Sequence, residues 1–146
     1  MDNKGRIMLP SPLKKQLLPV IKDGFVVKRS VFQNCLELYP LKEWNAVMGH
    51  VNSLNRFVKK NNDFIRMFTA GVKTVELDGA GRINISNDLI SYAKLANNVV
   101  MSSAGNIIEI WDKDAYEKAL NNPEIDFSAL AEEVMGNTNA AGHELP

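Results

Sequence analysis

Apolar and polar positions alternate with a period of two in several short stretches and with a period near 3.6 in longer ones. In Val72–Leu77, Val75 and Leu77 fall on one side and Thr74 and Glu76 on the other, the pattern of a half-buried strand. Asp78-Gly-Ala-Gly then turns the chain, since glycine reaches positive φ without strain. Arg82–Ile85 follows as a short strand with Ile83 and Ile85 inward, so the two strands read as a local hairpin. Ser86-Asn87-Asp88 is a helix-start signal ahead of a helix over Leu89–Ala96. Val99–Ser102 and Ile107–Trp111 read as two more strands joined by a hairpin-length connection, Ser103–Asn106.

The same succession stands earlier in the chain. Asp2-Asn-Lys-Gly-Arg6-Ile7-Met8-Leu9 recurs as Asp78-Gly-Ala-Gly-Arg82-Ile83-Asn84-Ile85 at an offset of 76, with five of twelve positions identical over 2–13 and 78–89. Asn34-Cys-Leu36-Glu37-Leu38-Tyr39 recurs at an offset of 72 as Asn106-Ile-Ile108-Glu109-Ile110-Trp111, and Trp44 aligns with Tyr116. The elements expected of copy one are a capped helix over Leu13–Leu18, opened by Ser11-Pro12, and strands Phe25–Arg29 and Cys35–Tyr39. Two copies are too few for a solenoid, so a pseudo-symmetric α+β domain, mainly of short β-strands, is expected. Copy one has no counterpart of the strand Val72–Leu77, because the sequence begins at Met1-Asp2. The expectation is a sequence lacking its true N-terminus; the other outcome is a sheet edge left bare.

Between the copies, Trp44, Val47, Met48, Val51 and Leu54 share one helix face, and Asn61-Asn62 opens a second helix with Phe64, Met67 and Phe68 inward. After Asn122-Pro123 comes an acidic segment through Met135, a marginal helix or a docking tail, and Gly136–Pro146 reads as disordered. The expected organisation is a first repeat over 1–44, a helical linker over 45–71, a second repeat over 72–118, and an acidic helical or disordered tail over 119–146.

Composition changes this picture in two ways. The single Cys35 excludes an internal disulfide framework and a cysteine-based zinc site. The longest apolar run, Leu17–Ile21, contains a proline, and no apolar core follows the charged start, so a soluble, intracellular protein is expected. Net charge is zero, yet residues 1–73 carry thirteen basic against five acidic groups (+8) while residues 74–146 carry four against twelve (−8). Such a dipolar chain can show a basic face to a polyanion. It equally suits two halves attracting each other or subunits meeting head to tail.

The duplicated Asp-x-x-x-Arg turn is the candidate chemistry. Its side chains can meet across the turn, and the Asp carboxylate can accept turn N–H groups. One reading is a salt bridge that locks a turn, which contributes only about 0–1 kcal/mol at a surface. The other gives Asp2 and Asp78, with Gly5, Gly79 and Gly81, to turn support and presents Arg6 and Arg82 on a narrow ribbon. A two-stranded ribbon fits the DNA major groove, where arginine pairs bidentately with guanine O6 and N7. Copy one adds Lys4 in the loop and Lys14 and Lys15 on the adjoining helix, where copy two has Ala80, Ile90 and Ser91, so copy one is the stronger reader electrostatically. Gly79-Ala-Gly81 lacks the third glycine and following helix of a dinucleotide cradle. His50 and His143 have no partners at catalytic spacing, and Cys35 reads as a packed thiol, so no enzyme, cofactor or metal is expected.

These residues resemble the MraZ family of bacterial transcriptional regulators. The resemblance rests on Asp2–Pro10, Leu36–Pro40, Arg66–Gly71, Glu76–Ile85 and Ile108–Trp111, in order over roughly residues 2–120. It implies two pseudo-symmetric AbrB-like swapped-hairpin β-barrel lobes with short helices, and closed rings of several subunits. It further implies binding to double-stranded DNA at direct repeats ahead of the operon for division and cell-wall genes, hence a cytoplasmic, nucleoid-associated protein. In that family the Asp-x-x-x-Arg motif is tied to DNA binding; here it maps onto Asp2 and Arg6 and onto Asp78 and Arg82. Two other readings stay open: an AbrB-type antitoxin-like protein whose acidic tail binds a partner protein, and a ring scaffold that touches no DNA.

Overall fold

The computed structural model describes residues 1–140, with side chains through Gly136. It contains two compact units, Met1–Tyr116 and Glu117–Pro146. In the first, β1 (Arg6–Met8) leads to α1 (Ser11–Leu17), then β2 (Phe25–Arg29), β3 (Leu36–Pro40), α2 (Leu41–Asn52) and α3 (Lys59–Thr69). Copy two follows with β4 (Lys73–Val75), β5 (Arg82–Asn84), α4 (Asn87–Ala93), β6 (Val99–Ala104), β7 (Ile107–Asp112) and α5 (Lys113–Leu120). Every strand pairing is antiparallel: a five-stranded sheet in the order β4-β2-β3-β7-β6, and a two-stranded ribbon of β1 and β5. Among the described residues neither sheet closes on itself.

The sequence repeat appears directly in the registers. Ile7 lies opposite Ile83, 76 residues on, and Glu37 lies opposite Glu109, 72 residues on. Each pairing therefore joins equivalent residues across a pseudo-two-fold axis. Ile7 and Ile83 are 2% and 0% exposed, and they seal the ribbon onto the sheet through Val27, Leu36, Leu38, Ile108 and Ile110. On the opposite face of the sheet, Val26 and Tyr39 pack with Trp44 of α2, and Phe68 of α3 stacks on Trp44 at 5.9 Å.

Two helix starts move, since Pro10 rather than Ser11 precedes α1 and α3 begins at Lys59, ahead of Asn61, and three further expectations change. The strand before the second turn does not form a hairpin with the strand after it: β4 pairs with Phe25–Val27 of β2, and β5 pairs with β1. This division lets Ile83 meet Ile7 in the core while Val75 covers the edge of β2. Phe64 and Met67, expected inward, are 43% and 77% exposed, because α3 packs chiefly through Phe68. Periodicity identifies a common face but not how much of it is covered. The third change is in the tail, where α6 spans Phe127–Ala140, so Gly136–Ala140, expected to be disordered, is helical. Asp126 caps that helix by accepting the Ser128 and Ala129 N–H groups. The rest of the expected disordered stretch, residues 141–146, lies outside the described residues. Copy one supplies no strand equivalent to β4, and β6 is the outer strand of the sheet. No helix among the described residues is long and apolar enough to cross a membrane.

Gly5 and Gly81 have φ of +77° and +78°, whereas Gly79 has no positive φ, so only two of the three turn glycines use glycine's freedom. A Cβ on Gly5 would lie 2.9 Å from the Ile85 carbonyl oxygen; on Gly79 it would meet nothing within 4 Å. Gly5→Ala is therefore expected to destabilise the fold by about 1–3 kcal/mol, and Gly79→Ala to change it by less than about 0.5 kcal/mol. Urea unfolding of both variants separates the two cases.

Candidate nucleic-acid interface

Each Asp-x-x-x-Arg turn is closed by the same hydrogen bonds. In copy one the Asp2 N–H donates to the Arg6 carbonyl (3.0 Å) and the Gly5 N–H to the Asp2 carbonyl (3.2 Å). Asp2 Oδ1 accepts the Lys4 and Arg6 backbone N–H groups, both at 2.9 Å, and Arg6 Nε donates to Asp2 Oδ2 at 2.7 Å. In copy two the Asp78 N–H donates to the Arg82 carbonyl and Gly81 N–H to the Asp78 carbonyl. Asp78 Oδ1 accepts from Ala80 and Arg82 N–H, and Arg82 Nε donates to Asp78 Oδ2 at 2.9 Å. The turn lock and the arginine presentation, two separate readings of the sequence, are thus one arrangement. The carboxylate binds the turn with one oxygen and orients the guanidinium with the other.

The β1–β5 pairing then brings the copies together. The two turns stand at opposite ends of one ribbon, joined by hydrogen bonds from the Leu9 N–H to the Gly81 carbonyl and from the Ile85 N–H to the Gly5 carbonyl. Arg6 pairs with Asn84 and Met8 with Arg82, so these four side chains share the face opposite the buried Ile7 and Ile83. Arg82 also reaches across the ribbon, with Nη1 3.9 Å from Asp2 Oδ2. The arginine side chains are about a third exposed (32% and 30%). Because Nε of each is held by its own Asp, the terminal nitrogens form the outward end of the fork.

Lys4 is exposed in the first turn, and Lys14 and Lys15 are exposed on α1. Lys14 Nζ approaches the second turn, 3.4 Å from the position a Gly81 Cβ would take. A lysine of copy one thus serves the turn of copy two, an association the sequence does not reveal. Asn84 and Met8, both exposed, belong to the same surface and were missed as candidates. Alternation outward from Arg6 and Arg82 was the available signal. Of the remaining chemistry-bearing residues, His50 is exposed on α2. Cys35 is fully buried, and burial pushes its thiol up to about 12, too high for a nucleophile. His143 lies outside the described residues.

Acid dependence follows from the carboxylates. The Arg6 backbone N–H is the largest influence on Asp2, and with the Arg6 guanidinium and Lys4 N–H it holds the carboxyl at about 2, against 3.8 ordinarily. Asp78 is lowered in the same way, first by the Arg82 backbone N–H. A carboxyl depressed in the folded state contributes stability fully above its unfolded pKa and loses it as pH falls through the folded one. The turn contribution is therefore expected to hold down to about pH 4 and to disappear toward pH 2. A carboxyl NMR titration should find the Asp2 side-chain carbon titrating near 2.

The sequence matches the model of the family described as "MraZ protein, putative antitoxin-like" twice, over residues 1–67 and 67–138. It is 62% identical to a protein named transcriptional regulator MraZ from Christiangramia forsetii over 142 residues, covering 97% of this chain and 92% of that protein. It is also 62% identical over 139 residues to the protein of the same name from Flavobacterium psychrophilum, covering 95% of this chain and 88% of that one. A further relative of that name, from Cytophaga hutchinsonii, is 36% identical over 138 residues, covering 94% and 91%.

Proposed function

The chain belongs to the MraZ family, and we propose that it is a transcriptional regulator that reads DNA with the β1–β5 ribbon. What supports this reading is the shared outer face of Arg6 and Arg82, each guanidinium fixed through Nε by its own Asp, with Arg82 Nη1 also 3.9 Å from Asp2 Oδ2. Such a fork matches guanine O6 and N7 in the major groove, and Asn84 beside it has the donor–acceptor pair that suits adenine. Lys4, Lys14 and Lys15 neutralise flanking phosphates, which fix register without carrying sequence information. Copy one supplies all three lysines, although Lys14 reaches the turn of copy two.

One ribbon touching two or three phosphates binds weakly, and its affinity falls with salt by a log–log slope of about −0.9 per phosphate. The proposal therefore includes a ring of several copies engaging direct repeats in the promoter of the chain's own division and cell-wall operon. Linking matched sites raises avidity by about 10²–10⁴. In this reading the interlocked copies are AbrB-like swapped hairpins, and the protein is cytoplasmic and nucleoid-associated. An antitoxin-like role in which the acidic tail holds a partner protein is the second reading. It is favoured by the family description and by exposed Phe127 and Met135 on α6. Co-purification of a partner, with no DNA binding, would select it. Failure of both would leave the ring scaffold.

Arg6→Ala is expected to abolish discrimination between the chain's own upstream DNA and a scrambled fragment, with an unchanged circular dichroism spectrum. Lys14→Ala with Lys15→Ala is expected to weaken binding to both fragments alike and to reduce the salt slope by about 1–2. Gel-shift titrations at stepped salt measure both effects; specific binding by Arg6→Ala at wild-type concentration would overturn the reading.

A further inference from the structure

β4 covers only Phe25–Val27 of β2, which leaves the edge of that strand open at Lys28 and Arg29. Neighbouring residues of a strand point to opposite faces, and these two cations reach around the open edge from both sides. Lys28 Nζ stands over the Phe68 ring of α3 at 4.3 Å, and the Arg29 guanidinium lies 4.9 Å from the Tyr92 ring of α4. Between them is a cavity of about 310 Å³, completed by Phe64 and Met67. That volume lies at the small end of the range for small-molecule sites.

The polar groups of this cavity are built in. Lys28 is 1% exposed; its ammonium donates to the Arg29 carbonyl and has the Glu37 carboxylate at 3.8 Å. Burial pushes the Lys28 pKa down, against the opposing pull of Glu37. Arg29 Nε is buried and has no hydrogen-bond acceptor, an arrangement that costs free energy unless something pairs with it. Asp88 Oδ2 and Arg29 Nε each lie 3.4 Å from the position a Gly71 Cβ would take, and the Asp88 pKa is lowered first by the Ser86 side chain and then by Lys73. Glu37 is set against Lys28, and among the described residues Arg29 has no ion-pair partner within 4.0 Å.

The repeat supplies an internal control. Lys28 pairs with Glu37 and Arg29 with Leu36, while in copy two Ser102 pairs with Glu109 and Ser103 with Ile108. Copy two carries serine at both register positions, half-buried at Ser102 and exposed at Ser103, so only copy one places cations here.

We propose that this cavity binds a small organic monoanion, an aromatic or branched aliphatic carboxylate. Its carboxylate pairs with Arg29 beside Lys28, and its apolar body lies between Tyr92 and the Phe64–Phe68 face of α3. A second charge on the ligand would find no free counter-charge, which favours a carboxylate over a phosphate dianion. The site is separate from the ribbon, and the DNA-reading proposal stands or falls without it.

The test is a ¹H–¹⁵N NMR titration of the full chain with 1-naphthoate and isovalerate. Two controls accompany them: 1-naphthalenemethanol, neutral and of the same shape as naphthoate, and inorganic phosphate, without an apolar body. At least one carboxylate should shift the Arg29 Nε–H signal and the Ser30 and Tyr92 amides saturably, and both controls should bind at least about tenfold more weakly. Arg29→Ser, the copy-two residue, should weaken carboxylate binding by about tenfold or more. Met67→Glu, at a side chain 77% exposed on the cavity mouth, should do the same by repulsion without affecting folding. Met67→Glu decides the matter if Arg29→Ser does not fold. No saturable shift by about 10 mM of either carboxylate, equal binding of the neutral alcohol, or unchanged affinity in Met67→Glu would overturn the proposal.

Discussion

Antiparallel pairing across the pseudo-two-fold axis builds both the five-stranded sheet and the ribbon above it. Neither copy holds enough strands to bury its own apolar residues. Joined through β3 and β7, they form a five-stranded sheet; joined through β1 and β5, they form the ribbon that covers one face of it. A two-stranded ribbon of three residue pairs is marginal in water by itself. Here Ile7 and Ile83, essentially without exposure, attach it to the core, so the Asp-x-x-x-Arg turns stand on a rigid base.

The same symmetry doubles the chemistry. Two turns that lie 76 residues apart in the chain become the ends of one surface, and Asp2 lies within reach of both arginines. As a surface ion pair, an Asp–Arg contact adds little stability. Its consequence is orientation: backbone N–H groups fix the carboxylate, and the carboxylate fixes the guanidinium. The charge asymmetry along the chain fits this arrangement, since the basic half supplies Arg6, Lys4, Lys14 and Lys15. Departures from symmetry are equally informative. Copy one carries Lys28 and Arg29 at the register positions where copy two has Ser102 and Ser103.

Much of this was legible in the sequence. The two offsets, 76 and 72, name the residue pairs that meet on the axis, Ile7 with Ile83 and Glu37 with Glu109. The turns were legible because Asp, Gly and Arg at fixed spacing have few other uses. What the sequence hid was non-local. Alternation shows that Val72–Leu77 and Arg82–Ile85 are extended but not which strands they join, so adjacency in the chain suggested a hairpin that does not form. The spacing of Phe64, Met67 and Phe68 marks a helix face, but whether α3 meets one residue or three depends on where Trp44 stands. Lys28 and Arg29 gave no signal, because a cation in a strand looks like an ordinary solvent-facing position until the strand is placed.

In the proposed function, arginines on the ribbon contact guanine in the major groove. Methylation interference on the DNA upstream of the chain's own gene tests it most directly. If the account holds, methyl groups at guanine N7 within the repeated boxes block binding, and methyl groups at adenine N3 in the minor groove are tolerated. Binding indifferent to guanine N7 methylation would contradict it.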